Sequence, residues 1–219
     1  MNLAIINGSP RGQKSNSTIL TDQFLAGYRS KRNVGNISVS LLIQQDRIAE
    51  HLQAYSAADT AIIIFPLYTD SMPGIVKSFF EQISELHTQP AKLGFIVQSG
   101  FPEAIHSVAV EKYLKKLTHR LQCQYLGTVI KGGVEGIQMM PAGMNRKLFA
   151  QFNSLGACFA QDGTFNPTLV QKMRKPYKMS VIQRAFFRIM LLTGLPNFYW
   201  NTNLKKNGAW QKRFDQPYL

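Results

Sequence analysis

The segment from Gly8 to Thr18 has the composition of a loop that binds an anion. It follows a short apolar run and reads Gly-Ser-Pro-Arg-Gly-Gln-Lys-Ser-Asn-Ser-Thr before a helical pattern begins. Hydroxyl groups, an amide and backbone N–H groups converge there on a helix N-terminus, where the helix dipole favours negative charge. Arg11 and Lys14 add cationic donors. The segment fits a phosphate site, and it equally fits an ordinary strand-to-helix turn that Ser15 or Ser17 caps.

Two further loops suit a flat organic ligand. Residues 66–74 read Pro-Leu-Tyr-Thr-Asp-Ser-Met-Pro-Gly, in which two prolines stiffen the backbone and Tyr68 offers an aromatic surface. Residues 99–103 read Ser-Gly-Phe-Pro-Glu, and Gly100 allows the backbone to approach a ligand closely. Each of these loops taken alone is also explained as a plain turn between a strand and a helix.

The three loops follow apolar runs that alternate with helical patterns through residue 130. The predicted strands cover residues 3–7, 37–43, 61–65, 93–98 and 125–130, and the helices between them residues 18–28, 49–58, 75–86 and 104–121. This alternation predicts a parallel sheet with right-handed crossovers. Ligands bind such sheets beyond the carboxyl ends of the strands, where the strand order reverses. The three loops follow strands 1, 3 and 4, which are the expected positions.

At these residues a family resemblance becomes specific. Gly8-Ser9-Pro10-Arg11, followed by Ser15-Asn16-Ser17, resembles the FMN-phosphate loop of the flavodoxin-like NAD(P)H-dependent FMN reductases, a family of NAD(P)H oxidoreductases. Pro66-Leu67-Tyr68 with Met72-Pro73-Gly74 and Lys77 is similar to that family's isoalloxazine loop. The likeness covers about residues 1–130. It implies an α/β fold: a doubly wound, five-stranded parallel sheet in the order 2-1-3-4-5, with a helical, basic C-terminal extension.

The resemblance also implies the cofactor and its contacts. FMN is expected, with NADPH or NADH as electron donor. The phosphate would be held by Ser9, Arg11, Ser15, Asn16, Ser17 and Thr18. The ring would be flanked by Pro66, Leu67, Tyr68 and Thr69, and closed at its other edge by Ser99 and Gly100. No catalytic residue is assigned, because the cofactor performs the chemistry while the protein positions and polarises it.

Two functions remain open. The first is an oxidoreductase that takes hydride from NAD(P)H and reduces a small acceptor such as a quinone, a flavin, a nitro-compound or an azo-compound. The alternative is a flavodoxin-type electron carrier, or a flavin-binding regulatory protein, without NAD(P)H turnover. Electron-carrier flavodoxins tend to be acidic, whereas this chain has a net charge of +13 and Arg11 in its phosphate loop. The enzyme is therefore favoured.

The remaining sequence patterns give weaker indications of function. The four histidines have no metal-ligand spacing and no obvious acid partner, and no metal site is predicted. Asp70 and Glu103 could assist proton transfer near the ring, or could be ordinary solvated carboxylates. Residues 132–136 have the look of a phosphate loop but follow strand 5, so a turn is the better interpretation. Two cysteines allow neither a disulfide scaffold nor a cysteine-ligated iron–sulfur cluster, and a cytoplasmic location is expected.

The positive charge is concentrated in the last third of the chain. Residues 1–140 have a net charge of +3 and residues 141–219 a net charge of +10. No nucleic-acid-binding motif accompanies this charge, so no nucleic-acid partner is expected. No signal peptide is expected ahead of the first strand, and no apolar run is long enough to span a bilayer.

The chain divides into a flavodoxin-like domain, residues 1–140, and a helical extension, residues 141–219, that is expected to be part of the same unit. Helices are predicted over residues 142–161 and 179–192. The segment from Met179 to Leu192 is strongly apolar, with a polar stripe through Ser180, Arg184 and Arg188. It could pack on its own domain, contact a second subunit or lie on an anionic membrane surface. The family resemblance implies a homodimer with the ring near the interface.

Overall fold

Five strands form the centre of the computed structural model, which describes residues 2–32, 35–194 and 197–216. They are β1 (Leu3–Asn7), β2 (Ile37–Leu41), β3 (Thr60–Pro66), β4 (Lys92–Gln98) and β5 (Gln124–Lys131). The sheet order is β2-β1-β3-β4-β5, and every neighbouring pair is parallel. The predicted fold class and strand order are therefore confirmed.

Eight helices follow or separate the strands in the described part of the chain. They are α1 (Asn16–Lys31), α2 (Ile48–Ser56), α3 (Gly74–Ile83), α4 (Val108–Arg120), α5 (Ala142–Asp162), α6 (Pro167–Met173), α7 (Val181–Leu192) and α8 (Phe198–Lys206). The sequence analysis missed α6 and α8. None of the helices in the described residues is both long enough and apolar enough to cross a membrane.

Helices cover both faces of the sheet, and this explains why β1 and β3 are buried along their whole length and consist mostly of apolar residues. On one face, Tyr55 of α2, Phe79 of α3 and Leu114 of α4 pack against strand residues such as Phe95. On the other face the core is formed by α1, α5 and α6, with Phe24, Phe152 and Phe159 fully buried. Because all five strands are parallel, their carboxyl ends lie at one common edge of the sheet.

Helices α1 and α5 touch backbone to backbone. A Cβ atom built on Gly27 would lie 1.8 Å from the carbonyl oxygen of Asn153. The reciprocal holds for Gly156 of α5, whose Cβ would lie 1.9 Å from the carbonyl oxygen of Phe24. Only glycine allows so close an approach. Helix α5 is thus an integral part of the layer that covers the sheet.

The chain forms two compact units, the first ending at Tyr177 and the second beginning at Lys178. The first unit therefore includes α5 and α6, which the sequence analysis had placed in an extension starting at residue 141. The second unit contains α7 and α8. Helix α7 begins with a capping box, in which Ser180 and Gln183 bond to each other's backbone N–H groups. Its apolar residues, including Ile182, Phe186 and Leu192, are exposed.

Candidate functional site

The loop after β1, here called loop 1 (residues 8–15), is shaped by buried polar side chains. The last residue of β1, Asn7, donates from Nδ2 to Thr18 Oγ1 (2.9 Å) and accepts at Oδ1 from the Ser9 N–H (2.9 Å). Ser15 caps α1 by accepting from the Thr18 N–H (3.1 Å), and Thr18 donates to the Gly12 carbonyl oxygen (3.0 Å). The hydroxyls of Ser15 and Thr18 are therefore engaged within the loop and fix its conformation.

The next two residues connect loop 1 to distant parts of the chain. Asn16 Nδ2 donates to the Val134 carbonyl oxygen (2.8 Å), and Asn16 Oδ1 accepts from Gln138 Nε2 (2.7 Å). Ser17, which is fully buried, has its Oγ 3.4 Å from the Nε2 donor of Gln98 at the end of β4. Since these are the first two residues of α1, their backbone N–H groups have no intrahelical acceptor and point beyond the helix end.

Arg11 is one of two cationic side chains in loop 1, the other being the exposed Lys14. Its Nη1 lies 3.0 Å from Oε1 of Glu135, and both side chains are substantially exposed. The hydroxyl of Ser9, a buried residue, accepts from the Arg11 N–H at 3.4 Å. An ion pair of this exposure contributes about 1 kcal/mol at most. The pair therefore keeps the guanidinium beside the N-terminus of α1 without binding it tightly.

The loop after β3, loop 2 (residues 67–73), contains a strained turn. The backbone N–H groups of Tyr68 and Ser71 each donate to the other's carbonyl oxygen, at 2.9 and 3.0 Å. The two residues between them, Thr69 and Asp70, have φ angles of 50° and 59°. A left-handed conformation is costly for a β-branched threonine, and such strain tends to occur at functional sites. The turn leaves Tyr68 42% exposed, above the buried Leu67.

The loop after β4, loop 3 (residues 99–103), is held by the chain that follows β5. The Ser99 N–H donates to the Lys131 carbonyl oxygen (3.0 Å), and the Val134 N–H donates to the Ser99 carbonyl oxygen (3.0 Å). A Cβ atom on Gly100 would lie 3.3 Å from Cβ of Glu135, so little room exists for a side chain. Loop 3 is thus a rigid, closely packed wall.

His106 connects loops 2 and 3. Its ring packs on Phe101 with a centroid distance of 4.7 Å. Its Nδ1 lies 3.7 Å from Asp70 Oδ1, and its Nε2 lies 3.7 Å from Glu103 Oε2. The sequence analysis found no acid partner for this histidine and was wrong here, because Asp70 lies 36 positions earlier and meets it only through the fold.

The structure thus brings the three loops together at one edge of the sheet. The Leu67 N–H donates to the Gln98 carbonyl oxygen (2.7 Å), which connects loop 2 to the end of β4. The Gly8 N–H donates to the Ile64 carbonyl oxygen (2.8 Å), which connects loop 1 to β3. All the residues predicted to bind the cofactor lie on these loops or at the adjoining ends of β3 and α1. That they hold a ligand stays a prediction.

A profile of the flavodoxin-like fold family matches residues 1–142. The chain belongs to this family. A comparison with curated protein sequences gives no significant match.

Solved structures with the flavodoxin-like fold resemble the chain at low identity. An FMN-dependent NADH-azoreductase from Bacillus anthracis in complex with FMN is 17% identical, with a TM-score of 0.57, over 73% of this chain and 100% of that one. An NAD(P)H:quinone oxidoreductase from Methanothermobacter marburgensis is 14% identical, with a TM-score of 0.57, over 72% and 94%. An NADH:FMN oxidoreductase in its apo form is 15% identical, with a TM-score of 0.53, over 84% and 93%. These likenesses show the fold.

Sequence reasoning missed several residues that build this edge. Glu135 lies in the stretch that was interpreted as a plain turn, yet it pairs with Arg11 and packs on Gly100. Nothing in the local sequence indicates that role. Asn7 and Gln98 could have been found, because each is a polar residue that ends an otherwise apolar buried strand.

Proposed function

We propose that the protein binds FMN on loops 1, 2 and 3 and uses it to pass electrons from NADPH or NADH to a small acceptor. A quinone, a flavin, a nitro-compound or an azo-compound has the required chemistry. The observation that carries the proposal is the meeting of a helix N-terminus, an exposed tyrosine turn and a rigid glycine loop at the ends of β1, β3 and β4. The FMN- and NAD(P)H-dependent oxidoreductases among the similar structures support the same conclusion.

The donors at loop 1 fit a phosphate monoester. The backbone N–H groups of Asn16 and Ser17 start a sixteen-residue helix, and the positive end of its dipole favours an anion there. The exposed side chain of Arg11 adds a positive charge near this helix N-terminus. The Ser15, Asn16 and Thr18 side chains act mainly by shaping the loop, since their polar atoms already bond to protein groups. The phosphate is thus held chiefly by backbone N–H groups, Ser9 and Arg11.

The ring of FMN is assigned to the space between loops 2 and 3. Tyr68 presents its aromatic face, and Pro66 and Leu67 supply apolar contacts at the end of β3. The left-handed Thr69 turns the backbone so that its main-chain groups can face the ring. Ser99 and Gly100 form the opposite edge, where their main-chain groups can face the ring.

When bound, FMN supplies the hydride-accepting and electron-donating chemistry. The protein's part is positioning and electrostatics. Loop 1 would anchor the phosphate, and Tyr68 would exclude water from one face of the ring. The bond from loop 2 to the end of β4 and the bonds from loop 3 to the chain after β5 hold the walls of the site. His106, which contacts both Asp70 and Glu103, connects the two loops beside the proposed ring site.

Within the same proposal, the enzyme is a homodimer in which the second unit covers part of the partner. Ile182, Phe186 and Ile189 of α7 are each more than 60% exposed. Monomeric proteins rarely expose a contiguous apolar patch of this kind, and an interface between copies would bury it.

Anaerobic titration tests the proposed reaction. Purified protein saturated with FMN is mixed with NADPH or NADH under anaerobic conditions while the visible flavin spectrum is recorded. Rapid bleaching, reversed by a quinone or an azo-compound, supports the enzyme. Tight FMN binding without bleaching supports the electron carrier instead, because a carrier needs no site for the nicotinamide. If FMN produces neither heat in calorimetry nor a shift in melting temperature, the whole proposal fails.

A further inference from the structure

A cavity lies beside loop 3, at the end of β5. Its volume is about 440 Å³, which is within the range of small-molecule sites. Four lysines line it, from the end of β5 (Lys131), from α5 (Lys147), from α6 (Lys172) and from just after α6 (Lys175). Among the described residues, no aspartate or glutamate lines it. We call this cavity the lysine pocket.

The positive charge of the lysine pocket is uncompensated. In the part of the chain that the structure describes, none of the four ammonium groups makes an ion pair with a carboxylate. Lys131 is half-buried, and burial together with the neighbouring Lys147 ammonium lowers its pKa below the usual value. Four like charges around one cavity repel each other, so an anion that enters relieves this cost.

The lining of the cavity also includes apolar side chains. Ile137, Met140 and Leu148 line one part of it and are apolar. A ligand that carries several negative charges beside a flat, largely apolar body would use both parts. Lysine ammonium groups are common phosphate ligands, and a phosphate monoester carries close to two negative charges at neutral pH. Among small molecules, a nucleotide combines these properties.

The position of the pocket connects it with the site described above. Lys131 lies directly opposite Gln98 in the sheet register, and neighbouring strands are about 4.8 Å apart. The Lys131 carbonyl oxygen accepts from Ser99, and the Gly133 N–H donates to the Phe101 carbonyl oxygen (3.0 Å). The backbone that forms one wall of the lysine pocket is therefore the backbone that holds loop 3.

We propose that the lysine pocket binds the phosphate groups of the nucleotide electron donor, and that it favours NADPH over NADH. The inference rests on the proposed function for the identity of the donor, but the phosphate site itself stands on the cavity and its four lysines. A donor whose nicotinamide lies on the ring between loops 2 and 3 must place its phosphates to one side. The lysine pocket lies beside loop 3 and offers cationic groups on one such side.

The test is calorimetric titration of the full chain with 2′,5′-ADP, which carries the phosphate that distinguishes NADPH from NADH. The variant Lys131→Gln/Lys147→Gln removes two charges from the pocket. The control Lys115→Gln/Lys116→Gln removes two exposed charges from α4. We expect at least tenfold weaker binding in the pocket variant, which corresponds to about 1.4 kcal/mol, and unchanged binding in the control. Matching melting temperatures would show that both variants fold.

Steady-state kinetics form the second arm. The pocket variant should have a higher KM for NADPH with little change in kcat, and a smaller change in KM for NADH. Absence of 2′,5′-ADP binding to the unmodified protein at millimolar concentration overturns the inference. Equal weakening in the pocket variant and the control overturns it too, since only general charge is then at work. Loss of 2′,5′-ADP binding without a change in KM overturns the assignment to the donor. Lysine-dependent binding in a protein that never oxidises NAD(P)H supports the phosphate site and refutes the reductase.

Discussion

Replacing Arg11 by glutamine separates phosphate recognition from general binding at loop 1. Riboflavin lacks the phosphate of FMN but has the same ring, so a phosphate contact must show as a difference between the two ligands. A hydrogen bond to a charged group contributes about 1.5–3 kcal/mol, which is about a tenfold to a hundredfold effect on affinity. We therefore expect the Arg11→Gln variant to bind FMN ten to a hundred times more weakly, with riboflavin affinity unchanged.

The structure supplies a matched control in the partner of Arg11. The Glu135→Gln variant breaks the same 3.0 Å ion pair but keeps the guanidinium and removes a negative charge next to it. Its FMN affinity should be equal to that of the unmodified protein or higher. Because the pair is exposed, neither variant should lose more than about 1 kcal/mol of folding stability. Isothermal titration calorimetry measures the affinity of each variant, and of the unmodified protein, for FMN and for riboflavin. If Arg11→Gln weakens FMN and riboflavin equally, loop 1 has been distorted and the reasoning is refuted.

Three further predictions follow from the packing. Gly27→Ala should destabilise the fold by about 1–3 kcal/mol or more in urea unfolding, because its Cβ would overlap the Asn153 carbonyl oxygen, whereas Gly143→Ala, with open space around it, should be neutral or slightly stabilising. Thr69→Gly should stabilise the fold by up to about 1 kcal/mol, because glycine adopts the left-handed backbone conformation without strain. The same variant should bind FMN more weakly. A loss of folding stability would show that the turn is not strained. Deleting residues 178–219 should shift the protein towards monomer in light scattering and lower its turnover, with FMN phosphate binding retained. A truncated dimer with full NAD(P)H oxidation would show that this segment packs on its own subunit. Selective loss of binding to anionic vesicles would favour a membrane-binding role for the segment.

Most of the sheet could be predicted from local patterns. Strand β1 was located to the residue, and β4 and β5 to within one residue at each end, because buried parallel strands are short apolar runs with polar ends. Helix α6 was missed because it lies in a basic stretch with two prolines, residues 166–178, that shows no clear apolar periodicity. The Asn166-Pro167 pair is in fact a cap followed by a favoured first residue.

The site was predictable only in part, for a different reason. The loops could be found because strand order determines where they meet. Their connections could not, because Asn16 bonds to Val134 and Arg11 pairs with Glu135 across more than a hundred residues. The family resemblance implies that Ser15 and Thr18 contact a phosphate, and the structure adds that their hydroxyls bond within the loop. Competition between ligand and protein for the same polar atoms becomes visible only when the contacts are known.

The pairing of α1 with α5 has a consequence for synthesis of the chain. The core on the α2–α3–α4 face draws on residues up to Cys123, so it can close once that part of the chain has left the ribosome. The opposite core needs Phe152, Phe159 and Met173 to cover residues of α1 that were made more than a hundred positions earlier. Until then α1 alone covers this face of the nascent sheet, so that Leu20, Phe24 and Ile62 lack part of their apolar cover. Contacts of such long sequence separation form slowly, and exposed apolar surface favours aggregation. Ribosome stalling between residues 130 and 175 should therefore mark the interval in which this chain depends most on chaperones.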